Sequence, residues 1–322
     1  LAAPSPPYRA PAWLPGGHLQ TIYPALTPRL PAFAYRRARW ELPDGDFLDL
    51  DWLDGPDAAP LVVLFHGLEG SSRSHYALAL MGALRDRGWR GVVAHFRGCS
   101  GEPNRLPRAY HAGDSETVGA VLGQLAPLAG AAPLHAVGVS LGGNALLKWL
   151  GEAGAQAGRL VRRAAAVSAP VDMVAAGRAL DRGCNRVYAR HFLASLKAKI
   201  RAKREIHPGL LDGVDLDALR SLRAFDDRVT APLHGFRDAE DYWRRSGAKP
   251  WLQGIAVPSL ILHALNDPFL PREALPGREA VSAGVRLDYP AQGGHAGFMT
   301  GPFPGRLDWL PRRLLAFLEA GA

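Results

Sequence analysis

A chain of 322 residues with 48% hydrophobic content can bury one large α/β core or two small ones, which excludes intrinsic disorder. Its apolar runs fall short of the ~18–20 residues that cross a bilayer, and residues 1–7 lack the charged and apolar regions of a signal peptide. The expectation is a soluble cytoplasmic protein. The formal charge is +8, and all of the excess lies between Arg178 and Arg204, where nine Lys or Arg meet one acid, Asp181. Arg178, Arg182, Arg186 and Arg190 recur every fourth residue, the spacing of one helix face. Such a face is ordinarily just solvated; the sharper expectation is peripheral contact with anionic lipid or an acidic substrate. Few aromatics interleave with these cations, so no nucleic-acid role is assigned. Cys99 and Cys184 read as free thiols outside any Cys/His cluster, and neither a metal nor a cofactor is expected.

In chain order, residues 1–34 form a Pro-rich lead. It is expected to be irregular, because five prolines between Pro4 and Pro15 forbid a regular helix there. Strands at Tyr35–Leu42 and Phe47–Leu53 flank Pro43-Asp44-Gly45-Asp46, a hairpin pattern. Leu61–Phe65 is a continuous apolar run suited to burial on both faces of a parallel sheet. A helix at His75–Arg87, a strand at Gly91–Phe96, a helix from about Gly113 to Leu128, a strand at Leu134–Val139, a helix at Leu141–Glu152 and a strand at Ala164–Val167 follow. This alternation predicts right-handed crossovers and a mainly parallel sheet. Residues 171–250 are polar, basic and helical in pattern, and read as an insertion into one sheet domain formed by 35–170 and 251–322. The alternation resumes with a strand at Ser259–His263, a helix near Arg272–Ser282, a strand at Val285–Tyr289 and a closing helix at about Arg306–Glu319.

The chemistry centres on Gly138-Val139-Ser140-Leu141-Gly142 between a strand and a helix. This is the pattern of a nucleophile elbow, where a sharp turn lifts the serine hydroxyl above the sheet and Gly138 and Gly142 admit close backbone. A serine needs a histidine to take its proton and a carboxylate to orient that histidine. Along the chain the partners should follow in the order acid, then histidine, each after a strand. Asp267 and His295 satisfy that order. Asp267-Pro268 would also serve as a helix cap, and a single histidine is ordinarily polar surface; the conjunction at successive strand ends favours a triad. Two backbone N–H groups must meet the developing oxyanion, and Leu141 and Leu68, beside Gly67, stand where they are needed. His66 is read as a brace for that loop.

Five blocks carry a wider resemblance: His18-Leu19-Gln20-Thr21, His66-Gly67-Leu68-Glu69-Gly70-Ser71-Ser72, Phe96-Arg97-Gly98-Cys99-Ser100-Gly101, Gly138-Val139-Ser140-Leu141-Gly142-Gly143-Asn144 and Asn266-Asp267-Pro268. Together they resemble the YheT-like family of α/β-hydrolases, which is similar to plant embryogenesis-associated proteins and to eukaryotic α/β-hydrolase-domain lipases. The likeness runs from about Pro11 to the final helix. It implies an α/β-hydrolase fold with a helical cap at 171–250, a Ser140, Asp267, His295 triad and esterase or lipase activity. Pro15-Gly16-Gly17 before His18 departs from the more polar residues of the family. A carboxylesterase acting on a small ester is the first expectation. An acylglycerol or phospholipid lipase, an acyltransferase with the same triad, and a non-catalytic binding protein are the alternatives.

Overall fold

The structure, a computed structural model, describes residues 7–27 and 34–320. The parts of the Pro-rich lead at 1–6 and 28–33, and with them the signal-peptide reading of the first residues, lie outside the described residues. One sheet of eight strands organises the chain: β1 (Arg36–Glu41), β2 (Phe47–Leu53), β3 (Leu61–Phe65), β4 (Arg90–Ala94), β5 (Leu134–Val139), β6 (Arg163–Val167), β7 (Ser259–Leu262) and β8 (Val285–Asp288), in the order β1-β2-β4-β3-β5-β6-β7-β8. β1 and β2 pair antiparallel across the Pro43–Asp46 turn, β2 also runs antiparallel to β4, and every other pairing is parallel.

Side chains on a strand alternate between faces, and β3 shows why its sequence is apolar throughout. Leu61, Val63 and Phe65 enter the core on one face, while Val62 and Leu64 enter the core on the other. Helices α3 (Ser115–Ala129) and α4 (Leu141–Ala153) cover the first face, and α2 (His75–Asp86) and α10 (Trp309–Glu319) cover the second. Each fully buried large apolar side chain contributes roughly 1.5–3 kcal/mol, so β3 and β5 anchor whatever their carboxyl ends carry.

Between β6 and β7 the chain contains α5 (Met173–Leu180), α6 (Arg186–Ile206), α7 (Leu222–Phe225), a π-helical turn at Asp226–Thr230, α8 (Ala231–His234) and α9 (Ala239–Ser246), with no strand. Part of this segment has a core of its own around Leu193, Ile200, Leu219 and Phe225. Its end is tied to the main core, because the buried Asn144 of α4 donates to Ser246 O and accepts from Ala248 N. No helix among the described residues is long and apolar enough to cross a membrane.

Four readings are corrected. The lead is not irregular throughout: Gly17–Leu26 is a helix, α1, which begins only after the run of prolines has ended and carries Pro24 inside. The stretch Arg272–Ser282 is not a helix but two short 3-10 turns, because the residue before a proline avoids helical backbone and Leu275 before Pro276 is extended. The closing helix starts at Trp309 rather than Arg306, which instead bridges Thr300. Arg178, Arg182, Arg186 and Arg190 do not share one helix face: α5 ends at Leu180, Gly183 takes φ 50, and α6 starts at Arg186. The Asp181 carboxylate accepts the N–H groups of Leu222 and Arg223, which holds the break open. Several cations of the run are used internally, with Arg178 on Glu240, Arg201 on Asp217, and Arg204 on the carbonyls of Leu210, Leu211 and Val214.

Candidate active site

Ser140 stands between the end of β5 and the first residue of α4 with φ 54 and ψ −123, a backbone region that a side chain disfavours. Such a conformation persists only where the surroundings over-determine it. Its N–H donates to Val167 O of β6 at 2.8 Å, and its carbonyl accepts from Asn144 N at 3.0 Å. A Cβ on Gly138 would fall 2.5 Å from Gly142 O, and one on Gly142 would fall 2.4 Å from the carbonyls of Phe65 and His66. Only glycine lets β3, β5 and α4 approach this closely, so the flanking glycines are steric requirements of the elbow.

The loop after β3 lies against the serine. A Cβ on Gly67 would stand 3.0 Å from Ser140 Cβ. Gly67 N–H donates to Tyr76 OH and Glu69 N–H to Tyr110 OH; Leu68 N–H, between them, meets no acceptor among the described residues. Leu141 is the first residue of α4, so helix geometry leaves its N–H without a partner in the helix. His66 is the brace that its sequence position suggests. Phe96 N–H donates to Nε2 at 3.1 Å, which leaves Nδ1–H to donate to Gly67 O at 2.8 Å. Burial lowers its pKa to about 3, so the ring is neutral.

Asp267 follows β7 and His295 follows β8, and the two meet. Asp267 Oδ2 lies 2.8 Å from His295 Nδ1, while Oδ1 accepts Phe269 N–H at 2.8 Å. Asp267 therefore also closes a local turn, the structural role that Asp-Pro suggests, alongside its contact with the imidazole. Burial alone would raise the pKa of this carboxyl, but the charges of His295 and His263 and the hydrogen bonds from His295 and Phe269 outweigh it, and the net direction is down. An ionised carboxylate on Nδ1 selects the tautomer that leaves Nε2 free to act as base. The ring stacks on Phe269 at a centroid distance of 4.1 Å.

Sequence reasoning missed what holds this histidine in place. Helix α1 packs backbone against backbone on the His295 loop: a Cβ on Gly294 or Gly297 would strike Gln20 at 2.6 or 2.0 Å, and one on Gly17 would lie 1.9 Å from Asn266 O. Gly17 is thus a close-contact residue, which accounts for one of the three departing residues before His18. The buried Gln20 accepts from Gly293 N and Asn266 Nδ2, both at 2.9 Å, and donates to Leu14 O. Thr21 Oγ1 accepts His295 N–H at 2.9 Å, Asn266 Oδ1 accepts Gly294 N–H, and Ser168 Oγ accepts Ala296 N–H. The signals for these roles were the His18–Thr21 and Asn266–Pro268 blocks. His263, buried with its Nε2 3.3 Å from Asp267 Oδ2 and its pKa lowered by burial to about 4, was also missed.

Ser140 opens on two spaces that share Leu68, Phe192 and Phe269. A cleft of about 460 Å³ is lined by Ser140, His295, Gly67, His75, Leu26, Val187 and Tyr188. A smaller chamber of about 100 Å³ is walled by Leu141 and by Met173, Leu180, Leu196 and Trp243 of the segment between β6 and β7.

With this geometry in hand, comparison with known proteins gives a consistent picture. Residues 60–302 match the family model for the alpha/beta hydrolase fold. The chain is 44% identical over 312 residues to YheT of Escherichia coli strain K12, an esterase by assignment, covering 94% of this chain and 91% of that protein. It is 30% identical over 311 residues to the phospholipase ABHD3 of Mus musculus, covering 94% of this chain and 75% of that one. Among solved structures, the Pyrococcus furiosus esterase Pf2001 matches with a TM-score of 0.56 at 16% identity, over 89% of this chain and 92% of that one, a likeness of fold. The chain belongs to the α/β-hydrolase family, in its YheT-like group.

Proposed function

We propose that this chain is a carboxylic ester hydrolase that works through an acyl-enzyme on Ser140. One observation carries the reading: the turn-borne serine and an imidazole fixed by a buried carboxylate border the same cleft. His295 Nε2 takes the proton of Ser140 Oγ as that oxygen bonds to the ester carbonyl carbon. The carbonyl oxygen, now an anion, is met by the N–H groups of Leu68 and Leu141. Collapse expels the alcohol, which receives the proton from His295. Water then repeats the sequence on the acyl-enzyme with His295 again as base, and Asp267 stays ionised throughout. Residues 171–250 serve as the cap. The small apolar chamber under them suits the acyl chain, and the larger cleft suits the alcohol.

Ser140→Ala is expected to lower kcat on a short p-nitrophenyl ester by at least about 10⁴-fold, and to abolish labelling by a fluorophosphonate probe. Full turnover by that variant would sink the assignment, and a folded wild type that takes no label would favour a binding role. A lipid substrate is the second reading. Leu26 and Val187, at the rim of the cleft, are 78% and 61% exposed, and Arg186 and Arg190 stand on the same helix as Val187. Flotation with anionic liposomes at low salt checks it: absence of binding, or binding unchanged in Arg186→Glu/Arg190→Glu, counts against a lipase.

A further inference from the structure

Glu69 follows Leu68 in the turn that Gly70 N–H closes onto Gly67 O at 3.0 Å. It carries a side chain at φ 56, a left-handed conformation that a non-glycine residue keeps only when several contacts enforce it. Those contacts are present, and they come from two directions. From the core, Tyr110 OH accepts Glu69 N–H at 2.8 Å and donates to Oε1 at 2.7 Å. From α6, Lys199 Nζ donates to Oε1 at 2.8 Å and Ser195 Oγ donates to Oε2. Ser195 and Lys199 are four residues apart, so one face of α6 grips the carboxylate. The Glu69 side chain is only 8% exposed, and both of its oxygens accept hydrogen bonds. It is therefore neither a free base nor a surface charge. The mechanism above gives it no part.

We propose that Glu69 is a positioning residue that tethers the oxyanion donor Leu68 to α6, so that the oxyanion hole is complete only while α6 is seated. The inference rests on the reading of Ser140 and Leu68 given above. The Leu68–Glu69 peptide directly follows the Gly67–Leu68 peptide that carries the donor, so a turn of the Glu69 backbone out of φ 56 shifts Leu68 in this tight turn and re-aims its N–H. The helix that walls the acyl chamber thereby also sets the electrostatics at the serine. Substrate that disturbs α6 loosens the hole, and substrate that seats α6 tightens it.

The test compares two ligands of the same chain length, a trifluoromethyl ketone, which adds to the serine and places an oxyanion in the hole, and the parent methyl ketone, which does not. Wild type is expected to prefer the trifluoromethyl ketone by at least ~100-fold. In Glu69→Gln and in Lys199→Met that preference is expected to fall roughly 10- to 100-fold, with the methyl ketone within about 3-fold of wild type. A role confined to fold stability would weaken both ligands alike. The double variant is expected to be no worse than the worse single variant, since both substitutions cut one tether. An unchanged preference in a variant whose circular dichroism matches wild type, or fully additive losses, would overturn the proposal. If Glu69→Gln does not fold, Lys199→Met and Ser195→Ala on α6 carry the same measurement. A wild type without any preference for the trifluoromethyl ketone would instead overturn the Ser140 reading, so the two failures separate.

Discussion

The two halves of the candidate site are held by different physics. On the elbow side, Ser140 and Leu141 rise from β5 into α4, and their geometry is enforced by backbone packing that leaves no room for a Cβ at Gly138 or Gly142. On the histidine side, His295 sits in a loop whose shape depends on side-chain hydrogen bonds from α1, more than 270 residues earlier in the chain. The first half is held by close backbone packing; the second adds remote side-chain hydrogen bonds to close packing of its own at Gly294 and Gly297. In the proposed mechanism the serine must not move relative to its oxyanion donors, whereas a histidine that shuttles a proton needs orientation more than rigidity. The difference also says where each half is fragile.

Gly142→Ala attacks the steric half and should have the largest effect. The new Cβ would lie 2.4 Å from two β3-end carbonyls, a backbone clash that costs about 3 kcal/mol or more. Urea unfolding should show a large fall in midpoint, and a variant as stable as wild type would break the contrast. Gln20→Ala attacks the polar half. It leaves Gly293 N–H and the Asn266 amide without their acceptor, so stability should fall by about 1–3 kcal/mol. kcat should fall roughly 10- to 100-fold because the imidazole is misplaced. Unchanged kcat would mean that α1 only covers the core.

A milder probe concerns the cap. Asp226 lies in the π-helical turn at the chamber wall, where burial raises its pKa to about 7 despite hydrogen bonds from Thr230 and Trp243. The folded state thus binds this proton more tightly than the unfolded state, in which the carboxyl has an ordinary pKa of about 3.9. Its stabilisation is full below that value, declines as pH rises, and is lost as pH passes through about 7. Asp226→Asn should therefore flatten the fall in Tm between acidic and neutral pH. Parallel Tm curves for wild type and variant would refute the linkage.

How far the sequence reached can be judged residue by residue. β3, β5 and the elbow were legible because continuous apolar runs and a glycine-flanked serine between strand and helix are patterns read within a few residues. Asp267 and His295 were singled out because they fall at successive strand ends, and their side chains lie 2.8 Å apart. Arg272–Ser282 misled because the strand–helix alternation called for a helix where Leu275 before Pro276 is extended, and the basic run misled because a four-residue spacing says nothing about where Asp181 sends its carboxylate. Glu69 was quoted as part of a block and given no role, since its partners Ser195 and Lys199 lie some 130 residues away.

By itself the sequence determined the α/β architecture and the strand–Ser140–helix turn, because apolar periodicity acts within a few residues. Only the tertiary structure decided that α1 holds the His295 loop and that α6 grips Glu69 in the loop after β3. Those are pairings between distant segments, selected by which buried donors and acceptors still need a partner once the sheet has formed.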